Sequence, residues 1–179
     1  MAALVCLTWL GMTSQLAGLD QKPRVQYTTD YETAPATLVG LRDAVDAVVV
    51  GRVESSVART FGQYERVATV HTVRVIEIVK GHAGIRGVGY TFEVEQSAGE
   101  LELPDKIVTV NPRFAPLRPG DTHVFFLEWH QPQLHYAMAY GPQASFKING
   151  LTIQTAERRG VGLQVDGVSV TAFLDALRR

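Results

Sequence analysis

Three groups of side chains in this sequence have the type and spacing to do chemistry: histidines, closely spaced glutamates, and a proline-stiffened stretch carrying arginine and phenylalanine. The histidines are His71, His82, His123, His130 and His135. His130 and His135 flank Gln131-Pro132-Gln133-Leu134, so a hairpin turn would bring two imidazoles face to face as metal ligands. Zinc takes three or four ligands at set spacings, and neither a His-Glu-x-x-His motif nor a cysteine pair supplies the others. The two therefore read as solvated loop histidines, and His71, on a long strand, as a histidine satisfied by its neighbours. Glu93, Glu95, Glu100 and Glu102 form the densest acidic cluster. On a strand, Glu93 and Glu95 share one face about 7 Å apart. Glycosidase pairs work at about 5–9.5 Å, so hydrolysis or binding of a polysaccharide is an alternative function for this face. An alternating strand supplies outward, solvated acids by default.

Nucleophilic chemistry finds less support. No Gly-x-Ser-x-Gly elbow and no Ser-x-x-Lys occurs, and Ser97 and Ser145 lie beside turns without a base evident in the sequence. Gly87-Val88-Gly89 and Gly160-Val161-Gly162 lack the third glycine and the strand-to-helix setting of a phosphate loop, and read as turns. The sequence thus assigns no catalytic residue, no metal site and no cofactor. Recognition remains. Asn111-Pro112-Arg113-Phe114-Ala115-Pro116-Leu117-Arg118 is a stiff connection with aromatic and guanidinium anchors, the equipment of recognition surfaces. Arg113, Phe114 and Arg118 are the candidate binding residues, and a protein is the expected ligand. In the competing reading, Phe114 and Leu117 plug one end of the fold. Nucleic acid is not an expected partner. A single-strand groove needs clustered cations and stacking aromatics, whereas here 17 Lys plus Arg are scattered among 18 Asp plus Glu. Tyr90, Tyr136 and Tyr140 read as core or half-buried.

These candidates must be positioned by a chain of 179 residues, 46% hydrophobic and 20% charged, which is neither disordered nor a membrane bundle. Residues 1–19 hold no charge, and the apolar run from Ala2 to Leu10 has the length of a secretory h-region. We expect a signal peptide there, cleaved or kept as an anchor, and a secreted, periplasmic or envelope location. The single cysteine, Cys6, lies inside it. The mature chain would then have no disulfide, thiolate metal site or cysteine nucleophile, and no membrane span. A monomer is expected, and any polysaccharide substrate would belong to the envelope.

Residues 20–36 read as an extended lead-in, and 37–179 as one domain. Leu38, Leu41 and Val45 predict a short helix. Most of the 23 valines then fall in β runs bounded by Gly, Pro or Asp. The run Ala47–Ser55 puts Ala47, Val49, Gly51 and Val53 on one face. Arg66–Lys80 is unusually long, and Ile76 and Ile78 fall on the wrong parity, which predicts a bulge or burial on both sides. Tyr90–Gln96 turns Phe92 and Val94 inward. Leu117-Arg118-Pro119-Gly120-Asp121 is a turn, and His123–His130 follows with Phe125, Leu127 and Trp129 on one face. Short apolar pieces at 101–104 and 106–110 are broken by Pro104 and Pro112, and shorter strands are predicted at 134–140, 145–148 and 151–155. Ser169 caps a C-terminal helix whose stripe is Val170, Phe173, Leu174 and Leu177. The expectation is an all-β fold with marginal helices, a small five- to six-stranded OB-like barrel with one helix before its first strand and one at its end.

The order Asp46-Ala47-Val48-Val49-Val50-Gly51-Arg52-Val53, followed by a long strand closing on Val79-Lys80-Gly81, resembles the netrin-like module. That module is the OB-type barrel shared with tissue inhibitors of metalloproteinases. Pro119-Gly120-Asp121 before Val124-Phe125-Phe126-Leu127 is similar to the same modules, and more so to secreted bacterial proteins of unknown function built this way. The resemblance spans about residues 37–155. It implies the fold but not protease inhibition. The inhibitors chelate zinc through a processed N-terminal cysteine, and nothing here corresponds to it.

Overall fold

A computed structural model describes residues 22–61, 66–111, 114, 116–131 and 135–179. The expected export signal at 1–19 lies outside the described residues, as does Arg113. The fold is mostly β. In chain order the elements are β1 (Arg24–Tyr27), α1 (Leu38–Asp43), β2 (Ala47–Phe61), β3 (Arg66–Lys80), β4 (Thr91–Gln96), β5 (Gly99–Glu102) and β6 (Ile107–Val110). There follow β7 (Thr122–His130), β8 (His135–Met138), β9 (Ser145–Asn149), β10 (Thr152–Thr155), α2 (Val161–Val165) and α3 (Val170–Arg178). The described residues hold ten strands in two sheets, more than the five or six expected for a barrel alone. The lead-in supplies β1, which joins β6 and β5 in a separate three-stranded sheet, and β9 and β10 extend the seven-stranded one.

Within the larger sheet the pairings form a circuit. β2 pairs antiparallel with β3, β3 with β4, β4 in parallel with β8, and β8 antiparallel with β7, which pairs back onto β2. Side chains from all five strands meet in one buried cluster, among them Val49, Val73, Val94, Phe125, Leu127 and Tyr136. Gly51 belongs to this inward face, where a Cβ would overlap Val73 Cγ1. The parity conflict in the long strand is resolved by bulges. Val49 opposes Ile78 while Val48 opposes Lys80, leaving Val79 extra, and Gly51 opposes Val75 while Val50 opposes Glu77, leaving Ile76 extra. Each added residue reverses the facing of the strand beyond it, so Val73, Val75 and Ile78 all reach the inner cluster while Ile76 is exposed.

β2 is buried on both faces in its first half. Val48 and Val50 pack outward with Val124 and Phe126 against α1, α3, β9 and β10 through Leu41, Phe173, Leu177, Phe146 and Ile153. The helix ends are capped by their own side chains: Gly40 N donates to Thr37 Oγ1 (3.0 Å), and Ala172 N donates to Ser169 Oγ (3.2 Å). A smaller cluster of Val67, Val108 and Val110 joins the three-stranded sheet to β3. Among the described residues no helix is long and apolar enough to cross a membrane.

Candidate functional site

The connection from β6 to β7 carries the sequence candidates, and buried polar groups fix it at both ends. Asn111 is 1% exposed and adopts a left-handed backbone (φ 46°), which asparagine tolerates better than most residues. Its Oδ1 accepts from Thr29 N (2.7 Å), and its Nδ2 donates to Tyr31 Oη (2.9 Å) and Ser97 O. Phe114 N donates back to Asn111 O (2.9 Å), and the Phe114 ring meets Tyr31 edge-on at 6.3 Å. At the far end, Leu117 is held by both of its backbone groups. Its N–H donates to Gln96 Oε1 (3.1 Å), and its carbonyl accepts from Ser56 Oγ (3.1 Å). His71, fully buried, joins the two supports, with Nδ1 2.7 Å from Ser56 Oγ and Nε2 2.9 Å from Gln96 Oε1. Because Gln96 Oε1 is fixed as an acceptor by the Leu117 N–H, His71 carries its proton on Nε2. Burial lowers the His71 pKa, against the raising effect of the Gln96 bond.

Leu117 is partly buried and packs on the inner cluster. Arg118 is different. It is exposed, and its guanidinium pairs with no acid among the described residues.

Behind this connection lies a cavity of about 360 Å³. It sits where β4 and β8 end and β7 begins, at one end of the strand circuit, and Gln96, Met138 and His123 come to its wall from those three strand ends. Phe114, Pro116 and Pro142 give it an apolar side, and Arg118, Asp121 and Lys147 a charged one. Lys147 Nζ is 2.8 Å from Asp121 Oδ2. His123 stands opposite Lys147 in the β7–β9 register, with Nδ1 2.9 Å from Ser145 Oγ. Burial is the largest cause that pushes the His123 pKa down to about 4; Asp121 opposes this, and Lys147 and His71 add to it. Two buried polar atoms in this wall, His123 Nε2 and Thr155 Oγ1, have no hydrogen-bond partner.

Two serine–histidine pairs exist that the sequence did not disclose, and neither is set up for nucleophilic attack. His123 is a poor base at neutral pH with a pKa about 4, and nothing orients its Nε2. The Ser56 hydroxyl is shared between His71 and the Leu117 carbonyl.

The acidic strand departs from expectation. Glu93 is exposed, 3.6 Å from Arg59. Glu95, expected to be outward and solvated, is 5% exposed and held by the two terminal guanidinium nitrogens of Arg66, while His135 Nε2 lies 2.9 Å from its carboxylate without making a hydrogen bond. Burial beside the Arg66 guanidinium replaced solvation because β8 lies beside β4 and brings His135 over Glu95. His130 and His135 do face each other across the β7–β8 hairpin, with ring centres 5.8 Å apart. Among the described residues no group of three or more His, Cys, Asp or Glu converges as a metal site. At the opposite end of the circuit, Trp129, Tyr136, His82 and Phe92 make an aromatic cluster beside a cleft of about 270 Å³ that Glu93 also lines.

The sequence pattern selects Phe114 and Arg118 but passes over Gln96, His123, Lys147 and Thr155. A usable signal existed: Gln96 continues the inward parity of Phe92 and Val94, and His123 that of Phe125 and Leu127. A polar residue at an inward position near a strand end marks a cavity wall. No family model and no curated protein matches this chain.

Proposed function

We propose that this chain is an exported, monomeric, netrin-like module of the OB type that works by binding a protein ligand through the 114–118 connection and the cavity behind it. A five-stranded Greek-key circuit with a single parallel pair is what an OB-type barrel requires, and the β2–β3–β4–β8–β7 pairings support it. The uncharged segment at residues 1–19 supports export. The observation that carries the binding reading is Arg118, a cation unpaired among the described residues that lines one cavity with the Phe114 ring, on a connection whose two ends are clamped by buried Asn111 and by the Ser56–His71–Gln96 group. Rigid anchors lose little entropy on binding, which is how a small surface gains affinity.

The test is crosslinking capture from the envelope and medium of the source cells, with mass spectrometry of what is retained. The chain should retain a specific protein, and Phe114→Ala with Arg118→Ala should lose it while unfolding at an almost unchanged urea concentration. Retention by the folded double variant would remove the connection from the interface. A second reading, polysaccharide binding or hydrolysis, is favoured by the cleft that Glu93 shares with Trp129 and Tyr90. Glu93→Gln would then abolish binding or turnover of envelope glycan, and an unchanged signal would end that reading.

A further inference from the structure

Resting on that binding reading, we infer that the cavity beneath Arg118 takes a carboxylate carried on a short apolar stem, presented by the protein ligand. Its charge is the first reason. Among the described residues of the wall, Arg118 and Lys147 face a single acid, Asp121, which already pairs with Lys147, so these residues leave one cation uncompensated and no free carboxylate for a cationic ligand. Its unsatisfied polar atoms are the second. Thr155 Oγ1 and His123 Nε2, buried atoms of two residues that line the cavity, lack partners, and each can donate, the latter when the Ser145 hydroxyl donates to Nδ1 and leaves the ring proton on Nε2. A buried polar atom without a partner is costly, and an incoming acceptor removes that cost. An ionised carboxylate is acceptor-only, with two oxygens and room for a bidentate guanidinium. The third reason is shape. About 360 Å³ lies near the small end of ligand sites, enough for one side chain or a chain terminus, and Met138, Phe114 and Pro142 offer the stem an apolar lining.

The shared chemistry can come from a C-terminus or from an acidic side chain. Three acetylated probes separate them: the tripeptide alanyl-valyl-leucine with a free C-terminal carboxylate, the same peptide amidated, and an amidated alanyl-glutamyl-leucine. Each is titrated into the purified chain, following the backbone amides of His123, Lys147 and Thr155 and the imidazole nitrogens of His123 by NMR. Tight binding of the first assigns a chain terminus, and tight binding of the third an acidic side chain. Either supports the inference if the neutral amide binds at least about tenfold more weakly and Arg118→Met removes roughly the same factor. Arg118→Lys, which keeps the charge, should restore part of it. The His123 nitrogens should also move to the pattern of a ring protonated at Nε2. Equal binding of acid and amide peptides, or no response at the cavity to any of the three, overturns the carboxylate. Capture of a protein that still depends on Phe114 and Arg118 would then leave the binding reading in place, whereas loss of that dependence would remove both.

Discussion

Acidification perturbs the cavity wall through His123. This ring is 6% exposed, and burial holds its pKa at about 4 instead of the ordinary 6.5. In the unfolded chain the imidazole titrates near its ordinary value, so between about pH 6.5 and pH 4 the unfolded state carries a proton that the folded state lacks. The contribution of His123 to stability is therefore complete above about pH 6.5, falls with pH through that window, and is gone below about pH 4. A difference of about 2.5 units at 1.36 kcal/mol each amounts to roughly 3 kcal/mol, a substantial part of the 5–15 kcal/mol typical of a domain. His71, whose pKa burial also lowers, acts in the same direction. The assay is urea unfolding at about pH 7.5, 6.5, 5.5 and 4.5 for the chain and for His123→Gln, which keeps a polar group beside Ser145 but cannot take the proton. Carboxylates titrate in both proteins, so the difference between the two curves isolates the histidine. The parent should lose up to about 1.4 kcal/mol per pH unit more than the variant within the window. Parallel curves would refute the assignment of His123 as a buried neutral ring.

Gln96→Leu removes the acceptor of both Leu117 N–H and His71 Nε2, leaves a buried imidazole N–H unpaired, and should cost about 1–3 kcal/mol. Hydrogen exchange at Leu117 should accelerate and ligand capture should weaken with Phe114 and Arg118 untouched. Gly51→Ala drives a methyl into Val73 inside the strand circuit and should cost about 1–3 kcal/mol by urea unfolding; an unchanged midpoint would mean that the inner face is loosely packed. Glu95→Gln leaves Arg66 without its carboxylate, but that guanidinium is half exposed, so solvent limits the loss to about 1–2 kcal/mol. Ser169→Ala removes the cap of α3 and should lower stability by about 1 kcal/mol, seen as a fall of a few degrees in Tm.

The features legible in the sequence are the local ones. The stripe Val170, Phe173, Leu174 and Leu177 with Ser169 before it specifies α3, because cap and face lie within nine residues of each other. The wrong parity of Ile76 and Ile78 announced the bulges, since a reversed facing inside one apolar run has few other causes. The second half of β2 stayed hidden. From Ser55 to Thr60 neither side is fully buried and Val57 is exposed, so no apolar alternation marks it, because beyond β7 it is an arm paired only with β3. β1 was hidden for a different reason: its partner β6 runs parallel to it and lies about eighty residues away in the chain, so no turn signals the pairing.

The binding connection combines both situations. Its stiffness is visible in Pro112 and Pro116, which restrict the backbone wherever they stand. What makes it a site is not local at all. The supports of Leu117 come from Ser56 and Gln96, 61 and 21 residues away, and His71 joins them across β2, β3 and β4. Each of these residues taken alone is an ordinary strand position. Only the order of the strands places a serine, a histidine and a glutamine at one end of the circuit, where they hold a loop backbone in place of a third shared hydrogen-bond ladder. The same order sets His123 opposite Lys147 and leaves two polar atoms without partners in the cavity wall. A chain selected for stability alone would fill such a place with valine or leucine. Retaining polar groups at an inward position, against that cost, is physically consistent with a wall whose partners arrive with the ligand.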